Sequence, residues 1–277
     1  MDILAFPKFF CPHLTMEQLA RTMKEVGFDG VDVMIRNAAW CKEDDFFDTL
    51  PKFVNVMRNA GLKAYTVTTD WGEAHLDQLD DRYRLFRDNG ITMFRFWLMN
   101  YRGYGTYRED FDRCKLLILN KLEKLGQKYR VKALLQTHGG NLTWSPEAAY
   151  FLVRGFDPNA IGVHYDPGNL RAQEGWTDPV KSLDILREHL AYIAVKNCGW
   201  FLVPDPQQNQ RLVWKMDWTH LDEGLVDWKT ILEELHKVGY QGPLCMHNFY
   251  TSGLAGLTEE TRNDLDYLRR ILLETHR

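Results

Sequence analysis

The sequence predicts a single (β/α)8 TIM barrel that takes up the whole chain, residues 1–277. A short apolar run is followed by an amphipathic stretch about once every thirty residues, and this unit recurs about eight times. The first apolar run continues into residues 7–12, PKFFCP, where a doubly wound sheet would need a glycine-rich phosphate-binding loop. The repeat therefore favours a barrel over an open sheet.

The predicted strands are short runs rich in Val, Ile, Tyr and Phe, as expected for strands buried on both faces. They span residues 3–6, 31–35, 63–67, 92–98, 132–137, 161–166, 191–196 and 243–247. In a barrel of parallel strands the carboxyl ends all meet at one face, and the loops that follow them carry the function. Candidate functional residues are therefore sought at these ends.

Residues that begin and end helices stand between the predicted strands. Thr15 and Gln18 form a capping-box pattern, Ser145 precedes a proline at a first helical position, and Asp227 precedes another helical stretch. Glycine, which accepts the left-handed conformation, is expected to end five helices. These glycines are Gly27, Gly61, Gly90, Gly126 and Gly239. Each predicted helix thus leads into the next strand.

The composition restricts the class of protein. Hydrophobic residues make up 45% of the chain and charged residues 26%, the balance of an ordinary soluble globular protein. The net charge of −4 argues against a nucleic-acid partner, because such binding relies on neutralising phosphates. We expect no membrane span and no signal peptide. The five cysteines form no CxxC pair, which indicates reduced thiols and a cytoplasmic protein.

Aromatic residues are concentrated in the loops that follow the predicted strands. Seven of the nine tryptophans lie there: Trp40, Trp71, Trp144, Trp176, Trp200, Trp214 and Trp218. Flat apolar rings with polar neighbours suit a sugar or an aromatic aglycone, so Trp71, Trp144 and Trp200 are predicted to bind substrate. Alternatively, several of them anchor loops or belong to an oligomer interface. Residues 198–226 are predicted to be irregular and to cover the barrel mouth.

Six segments, taken in their order and spacing, resemble one known group of barrels. They are LARTMKEVGFDGVDV (19–33), LLQTHGG (134–140), VHYDPGNL (163–170), YIAVKN (192–197), LDEGLVDW (221–228) and YQGPLCMH (240–247). With them the chain resembles the sugar phosphate isomerase and epimerase-like branch of the xylose-isomerase-like TIM barrel superfamily. That branch includes ketose 3-epimerases, inosose-processing enzymes and hydroxypyruvate isomerases. The resemblance covers essentially the whole chain, and it implies a homo-oligomer.

The resemblance implies a set of metal ligands, from which this sequence departs. Metal-using relatives hold one divalent cation with Glu, Asp, His and Glu on strands five to eight, and the two glutamates also move protons. The corresponding residues here are Gln136, Asp166, Ala194 and His247, so only Asp166 matches. The usual histidine three residues after the aspartate is replaced by Asn169. Ordinary epimerisation by two carboxylates is therefore not expected.

Two alternatives remain open for the metal. Gln136, Asp166 and His247 together offer a carbonyl oxygen, a carboxylate and an imidazole nitrogen, which with water would complete an open site for Mn, Co, Ni or Zn. In the other interpretation the protein is metal-free, and the same residues only line a pocket with hydrogen-bonding groups. A single formal negative charge among the ligands favours weak binding at most.

Strand alternation predicts which side chains line the barrel mouth. His138 shares a face with Gln136, and Lys196 with Ala194, so His138, Asp166, Lys196 and His247 are the predicted catalytic residues. Either histidine suits proton transfer near neutral pH.

Lys196 is expected to form an ion pair with Asp166 in preference to a Schiff base. Its ammonium also suits two further roles, neutralising an enolate or anchoring a carboxylate. Asn169 and Asn197 on adjoining loops are predicted to bind substrate. His164 is expected to be a hydrogen-bonded core histidine. Arg95, which lies within an apolar strand, is expected to have Asp70 as its partner.

These residues favour an enzyme that acts on a sugar or another polyhydroxylated carbonyl compound. It would abstract a proton and then isomerise or eliminate, as an isomerase or lyase of carbohydrate metabolism, with histidines in place of the glutamates. The alternative is a sugar-binding or scaffold barrel that has lost its metal site and its catalysis. A DNA-repair endonuclease of this fold is disfavoured, because the sequence shows neither its multi-metal cluster nor a basic surface. The expected partner is a small carbohydrate or glycoside.

Overall fold

The computed structural model describes residues 1–97, 100–174, 177–207 and 211–275. The strands are β1 (Ile3–Ala5), β2 (Gly30–Val31), β3 (Val33–Ile35), β4 (Thr66–Thr69), β5 (Met93–Phe96), β6 (Lys132–Gln136), β7 (Ile161–Tyr165), β8 (Leu190–Val195), β9 (Asn197–Pro204), β10 (Leu212–Thr219) and β11 (Leu244–Met246). Nine of these form one sheet in the order β2-β1-β11-β8-β7-β6-β5-β4-β3. Every neighbouring pair in that sheet is parallel.

The sheet closes because β2 and β3 are two parts of one barrel strand, separated only at Asp32. The first part pairs with β1 and the second with β4, so this one strand joins the two ends of the sheet. The backbone N–H of Val31 also donates to the carbonyl of Lys63, at 2.8 Å, across the same seam. The predicted (β/α)8 TIM barrel is confirmed, with strands at the eight predicted positions.

The helices between the strands are α1 (Met16–Val26), α2 (Phe46–Asn59), α3 (Leu79–Asp88), α4 (Tyr107–Arg113), α5 (Asn120–Tyr129), α6 (Pro146–Val153), α7 (Pro167–Asn169), α8 (Pro179–Leu186), α9 (Trp228–Lys237) and α10 (Gly253–Thr275). A π-helical turn, Cys114–Leu119, joins α4 to α5. Shorter helical turns lie at Lys8–Phe10, Glu73–Gln78, Leu170–Glu174 and Arg187–His189. In the residues described, we find no helix that combines the length and the apolar character needed to cross a membrane.

The helix boundaries test the residues predicted to begin and end the helices. Thr15 caps α1 through the predicted capping box, and Gly27 ends it with a φ of 111°. Gly126 was expected to end a helix, and that prediction is wrong, because it lies inside α5. A Cβ atom there would come within 2.8 Å of the Ala160 Cβ, so the glycine permits close packing of α5 on the chain before β7. Arg130, with a φ of 57°, ends that helix instead.

The predicted irregular cover is a regular element over most of its length. Strands β9 and β10 form an antiparallel two-stranded ribbon, paired from Asn197 with Thr219 to Pro204 with Leu212. The reason is the alternation of larger apolar with polar residues in 214–219, a period of two that favours a strand. The ribbon begins directly where β8 ends, and Trp218 near its base faces the barrel mouth.

The core surrounds the barrel, where apolar helix faces pack on the outside of the strands. A group of aromatic rings between α2, α3 and β5 shows this packing: Trp71 stacks on Phe86 at 5.4 Å and lies 5.2 Å from Phe46. The inside of the barrel is more polar, because buried Asp32, Arg95 and His164 are among the residues there. The fold thus separates an apolar outer layer from an inner polar one that leads to the mouth.

Candidate active site

A cavity of about 560 Å³ opens at the carboxyl ends of the barrel strands. Its polar lining includes Arg95, Gln136, His138, Asn169, Lys196 and His247. These side chains come from five neighbouring strands or the turns directly after them, which run parallel and end together. The barrel therefore brings together residues that lie more than a hundred positions apart in the chain.

Arg95 joins two neighbouring strand ends beneath one wall of the cavity. Its guanidinium donates to Asp70 at 2.5 Å and to the side-chain oxygen of Gln136 at 2.9 Å, and it also reaches the carbonyl of Thr69. The predicted partnership of Arg95 with Asp70 is thereby confirmed. A second arginine, Arg36, binds the same Asp70 oxygen at 3.0 Å. Asp70 is therefore shared between two guanidinium groups.

Asp166 continues the same network on the other side of Gln136. Its Oδ2 accepts from the Gln136 amide at 2.7 Å and lies 3.0 Å from Lys196 Nζ, while Oδ1 accepts from the backbone N–H of Asn169. Lys196 Nζ also donates to the side-chain oxygen of Asn169 at 2.6 Å. The expected Lys196–Asp166 ion pair is confirmed. We call the linked side chains Asp70, Arg95, Gln136, Asp166, Lys196 and Asn169 the mouth network.

This network does not fit a divalent cation at Gln136, Asp166 and His247, the three predicted ligands. The Gln136 oxygen already accepts from a guanidinium, and both Asp166 oxygens already accept hydrogen bonds or an ammonium. A metal ion here would lie beside two buried cations, Arg95 and Lys196, which would repel it. In the described ranges no group of three or more His, Cys, Asp or Glu residues is placed to hold a metal. The predicted ligand set is therefore corrected.

His138 lies in the turn after β6, and its ring is held in a defined tautomer. Its Nδ1 is 2.7 Å from the Gly139 carbonyl oxygen, which can only accept, so Nδ1 carries the proton and donates it. The Nε2 atom is then the unprotonated nitrogen. The ring makes an edge contact with Trp97 at 5.0 Å. Burial lowers the pKa of His138, so the ring is a neutral base near pH 7.

His247 follows β11 and stacks on Phe6 at 4.4 Å. Its Nε2 is buried and has no hydrogen-bond partner among the described residues. Burial, followed by the nearby charge of Lys196, holds the pKa of this imidazole well below its usual value. His247 is therefore a second neutral imidazole that lines the cavity, with one buried ring nitrogen left without a partner among the described residues.

His164 lies deeper in the barrel, as predicted, next to the Tyr192 ring at 4.1 Å. The expectation that it is hydrogen-bonded is wrong: neither ring nitrogen has a partner in the portion of the chain that is described. It is 1% exposed, and burial is the largest cause that lowers its pKa. An uncharged ring avoids the cost of a buried imidazolium, which explains how the site tolerates it.

Two of the residues predicted to bind substrate are structural. Trp71 is 1% exposed and points away from the cavity, and its indole N–H donates to Glu43. Asn197 is buried: its amide nitrogen donates to the carbonyls of Leu221 and Val226, and its oxygen accepts from two backbone N–H groups. It fixes the base of the β9–β10 ribbon, so no atom of its amide is left for a ligand. Both predictions are corrected.

The other predicted aromatic contacts are also placed elsewhere. Trp144 is 43% exposed outside the cavity, and its N–H donates to the Tyr107 hydroxyl at 3.1 Å. Trp200 lies on the ribbon and donates to the carbonyl of Arg171 at 3.2 Å. Trp176 lies outside the described residues. Asn169 does line the cavity, as predicted for a substrate-binding residue.

Sequence reasoning missed several residues that line the cavity. Lys8 and Arg36 follow the first two barrel strands, and Phe249 follows the last one. Trp218 was among the loop tryptophans but was not selected, and it stacks on Phe249 at 4.9 Å beside Lys196. The position of Lys8 and Arg36 directly after strands was the available signal, because that is where barrel enzymes place functional groups.

Comparisons with known proteins agree with this fold. An Mg²⁺ complex of a xylose isomerase-like TIM barrel protein from Mycobacterium smegmatis is 17% identical, with a TM-score of 0.69 and coverage of 98% of this chain and 97% of that one. D-psicose 3-epimerase of Clostridium cellulolyticum H10 is 13% identical (TM-score 0.72; 98% and 99%). The probable 3-DHS dehydratase of Bacillus anthracis is 16% identical (TM-score 0.71; 97% and 99%). At these identities the likeness establishes the fold alone.

No curated protein matches the chain. A family model, by contrast, matches residues 20–271, from within α1 to near the end of α10, and it is described as a xylose isomerase-like TIM barrel. That match covers all the strands after the first and therefore most of the mouth. The chain belongs to the xylose isomerase-like TIM barrel family.

Proposed function

We propose that the protein is an enzyme that removes a proton next to the carbonyl group of a sugar or a related polyhydroxylated compound, leading to isomerisation or elimination. The main support for the proposal is the tautomer of His138 and the position of its ring at the cavity. Its hydrogen bond to the Gly139 carbonyl leaves Nε2 as an unprotonated nitrogen in a ring that lines the cavity. A base with a fixed tautomer and a lowered pKa suits proton abstraction at neutral pH.

The charge that forms on the substrate oxygen after proton abstraction needs a partner. Arg95 and Lys196 both line the cavity and are 6% and 5% exposed, so water screens their charges little. The mouth network holds both in place before a substrate arrives. Burial lowers the pKa of Lys196, and Asp166 at 3.0 Å opposes that shift by favouring the charged ammonium form, which suits this role better than a Schiff base.

His247 is the candidate for the second proton transfer. Its ring lines the same cavity as that of His138, its buried Nε2 has no partner among the described residues, and both rings are neutral at pH 7. Elimination needs one base and one acid, and epimerisation needs two groups on opposite faces of a carbon. Both schemes use the same first step at His138. Several aromatic rings around the cavity, including Trp97, Trp218 and Phe249, offer apolar faces to a sugar.

Similarity to other proteins supports the substrate class. The matched structures include one named as a D-psicose 3-epimerase and one named as a probable dehydratase. The first name describes isomerisation of a sugar and the second an elimination, which are the two outcomes of the proposed first step.

Solvent exchange tests the proposal, because any reversible proton abstraction exchanges the substrate hydrogen with deuterium. The enzyme would be incubated in D2O with a panel of ketoses and 3-keto-glycosides, and the α-proton signal followed by NMR. We expect exchange with at least one compound, slowed about 100-fold or more by His138→Ala. His236→Gln, on α9 away from the cavity, is the matched control and should exchange at the wild-type rate.

A different result would favour the binding-protein alternative. If no compound exchanges its α-proton while a sugar still binds in the cavity, measured by calorimetry, the barrel is a sugar-binding protein without this catalysis. Equal exchange rates in wild type and His138→Ala would instead remove His138 from the proposal. Melting temperatures of both histidine variants would establish that each is folded.

A further inference from the structure

The cavity contains more positive than negative side chains. Four cationic side chains line it: Lys8, Arg36, Arg95 and Lys196. Two carboxylates face them, Asp70 in the lining and Asp166 directly beneath it. The two histidines add no charge at neutral pH, because the pKa of each is lowered. Within the described residues the site therefore has a formal surplus of two positive charges.

Each carboxylate is already paired with at least one of the deeper cations, Lys196 or Arg95. Asp166 is paired with Lys196 at 3.0 Å, and Asp70 is shared by Arg95 and Arg36 at 2.5 and 3.0 Å. One carboxylate between two guanidinium groups leaves one positive charge without a negative partner. The surplus is therefore found toward the entrance.

Lys8 and Arg36 are the two cations at that entrance. Lys8 makes no ion pair with the described residues, and its Nζ lies over the Phe9 and Phe249 rings at 5.5 and 5.7 Å. Arg36 lies over Phe6 at 5.7 Å, and its buried Nε has no hydrogen-bond partner among the residues described. Lys8 thus keeps its ammonium free of any ion pair with the described residues, and Arg36 shares its one carboxylate partner, Asp70, with Arg95.

The proton affinities of the cations agree with this surplus. Partial burial lowers the pKa of Lys8, followed by repulsion from Arg36, and Lys196 and Arg95 also contribute. Burial lowers the pKa of Arg95 to about 10, with Arg36 as the next cause. An anion placed among these groups would relieve the repulsion.

We infer that the substrate is anionic: a polyhydroxylated compound with a carboxylate or phosphate group that binds Lys8 and Arg36. This inference rests on the proposed function only in assigning the same cavity to the substrate. The anion at the entrance would leave the carbonyl end of the molecule toward His138, Arg95 and Lys196. A guanidinium and an ammonium bind carboxylate and phosphate alike. The structure therefore indicates that the substrate is negatively charged, without selecting which of the two groups carries the charge.

Matched pairs of neutral and anionic sugars test the inference. Binding of D-glucose would be compared with that of D-glucuronate and D-glucose 6-phosphate, and binding of D-fructose with that of D-fructose 6-phosphate, by calorimetry at constant ionic strength. We expect at least one anionic compound to bind roughly tenfold or more tightly than its neutral partner, as charged hydrogen bonds predict. Preference for glucuronate would identify a carboxylate, and preference for the phosphates a phosphate.

Variants place the effect at the two entrance cations. Lys8→Met and Arg36→Met should each reduce the anionic preference roughly tenfold, and each keeps an apolar chain over the neighbouring rings. Lys63→Met removes a positive charge at the opposite end of the barrel, where Lys63 pairs with Asp2, and should keep the full preference. Melting temperatures would establish that the variants fold.

The inference is overturned if neutral and anionic partners bind equally in every pair, or if both variants keep the wild-type preference. Binding is measured without turnover, so this result is independent of the deuterium-exchange experiment. A protein that binds anionic sugars selectively but exchanges no α-proton would contradict the proposed function alone. A protein that exchanges only neutral sugars would contradict the anionic substrate alone.

Discussion

Two groups of buried polar residues within the barrel differ in how they are stabilised. In the mouth network, cations and carboxylates alternate, and Lys196 and Asp166 pair at 3.0 Å although they are 5% and 0% exposed. The inner group consists of Asp32, His164, Tyr192 and Cys245, and it has no such pair. Burial raises the pKa of Asp32 to about 6 and lowers that of His164. The mouth keeps its charges by pairing them, whereas in the interior burial shifts the pKa of Asp32 and of His164 toward the neutral form of each group.

This difference explains why catalysis is expected at the mouth network and not in the inner group. Paired charges are held in fixed directions, so they stabilise a charge that develops on a substrate without rearranging. Neutral groups such as His164 are buried under that layer and do not line the cavity.

The largest effect is expected where a paired charge is left alone. Asp166→Ala removes the carboxylate and leaves the ammonium of Lys196 buried, which should reduce the free energy of unfolding by about 3–5 kcal/mol. Chemical denaturation measures it. Asp217→Ala is the matched control, because its pair with Lys215 is exposed and should be worth about 1 kcal/mol or less. Similar losses in the two variants would contradict the distinction drawn for the mouth.

A pH-dependent effect is expected in the inner group. Asp32 has a pKa of about 6 in the folded protein and 3.8 as the ordinary value, chiefly because it is buried. Between these pH values the folded state keeps a proton that the unfolded chain releases, so stability falls as pH rises. The total is on the order of 3 kcal/mol.

Comparison with Asp32→Asn isolates this contribution. The variant keeps a side-chain oxygen for the Thr66 hydroxyl, which donates to Asp32 at 2.5 Å, but it does not titrate. Its stability relative to wild type should therefore increase by that amount between pH 4 and pH 7, as measured by urea unfolding. A constant difference across this range would show that burial does not raise the pKa of Asp32.

The smallest effect is expected at His164. Replacing His164 with Leu removes two unpartnered ring nitrogens and keeps a similar volume, so stability should change by about 1 kcal/mol or less, or increase. His189→Leu is the matched control: that buried ring contacts the Ile161 carbonyl at 3.1 Å, and its loss should cost about 1–3 kcal/mol. A larger loss for His164 than for His189 would mean that its nitrogens are bonded to water.

The sequence allowed the barrel and the mouth network to be predicted in part, because strand ends are visible as apolar runs. Arg95, buried within an apolar strand, needed a partner, and the strand-end Asp70 was correctly chosen. Lys196 was correctly paired with Asp166 for the same reason. These predictions succeeded where a buried charge leaves few choices.

Other features depended on the third dimension. A tryptophan after a strand can turn toward the mouth or toward the surrounding helices, and Trp71 takes the second direction because Phe46 and Phe86 surround it there. Asn197 binds backbone groups of residues 221 and 226, which no local pattern shows. Lys8 was not predicted as a cavity residue. The surplus of positive charge that indicates its role becomes visible only when four strands bring their cations to one cavity.

The space for Lys196 comes from a neighbouring glycine, since a Cβ atom at Gly168 would lie 2.6 Å from the Lys196 Cγ. The cation that touches Asp166 is thus part of the chain itself. Unlike a metal ion, it has no dissociation constant, and neither dilution nor a chelator removes it. A folded barrel always holds this amine beside Asp166, so the supply of metal in the surroundings does not govern the position.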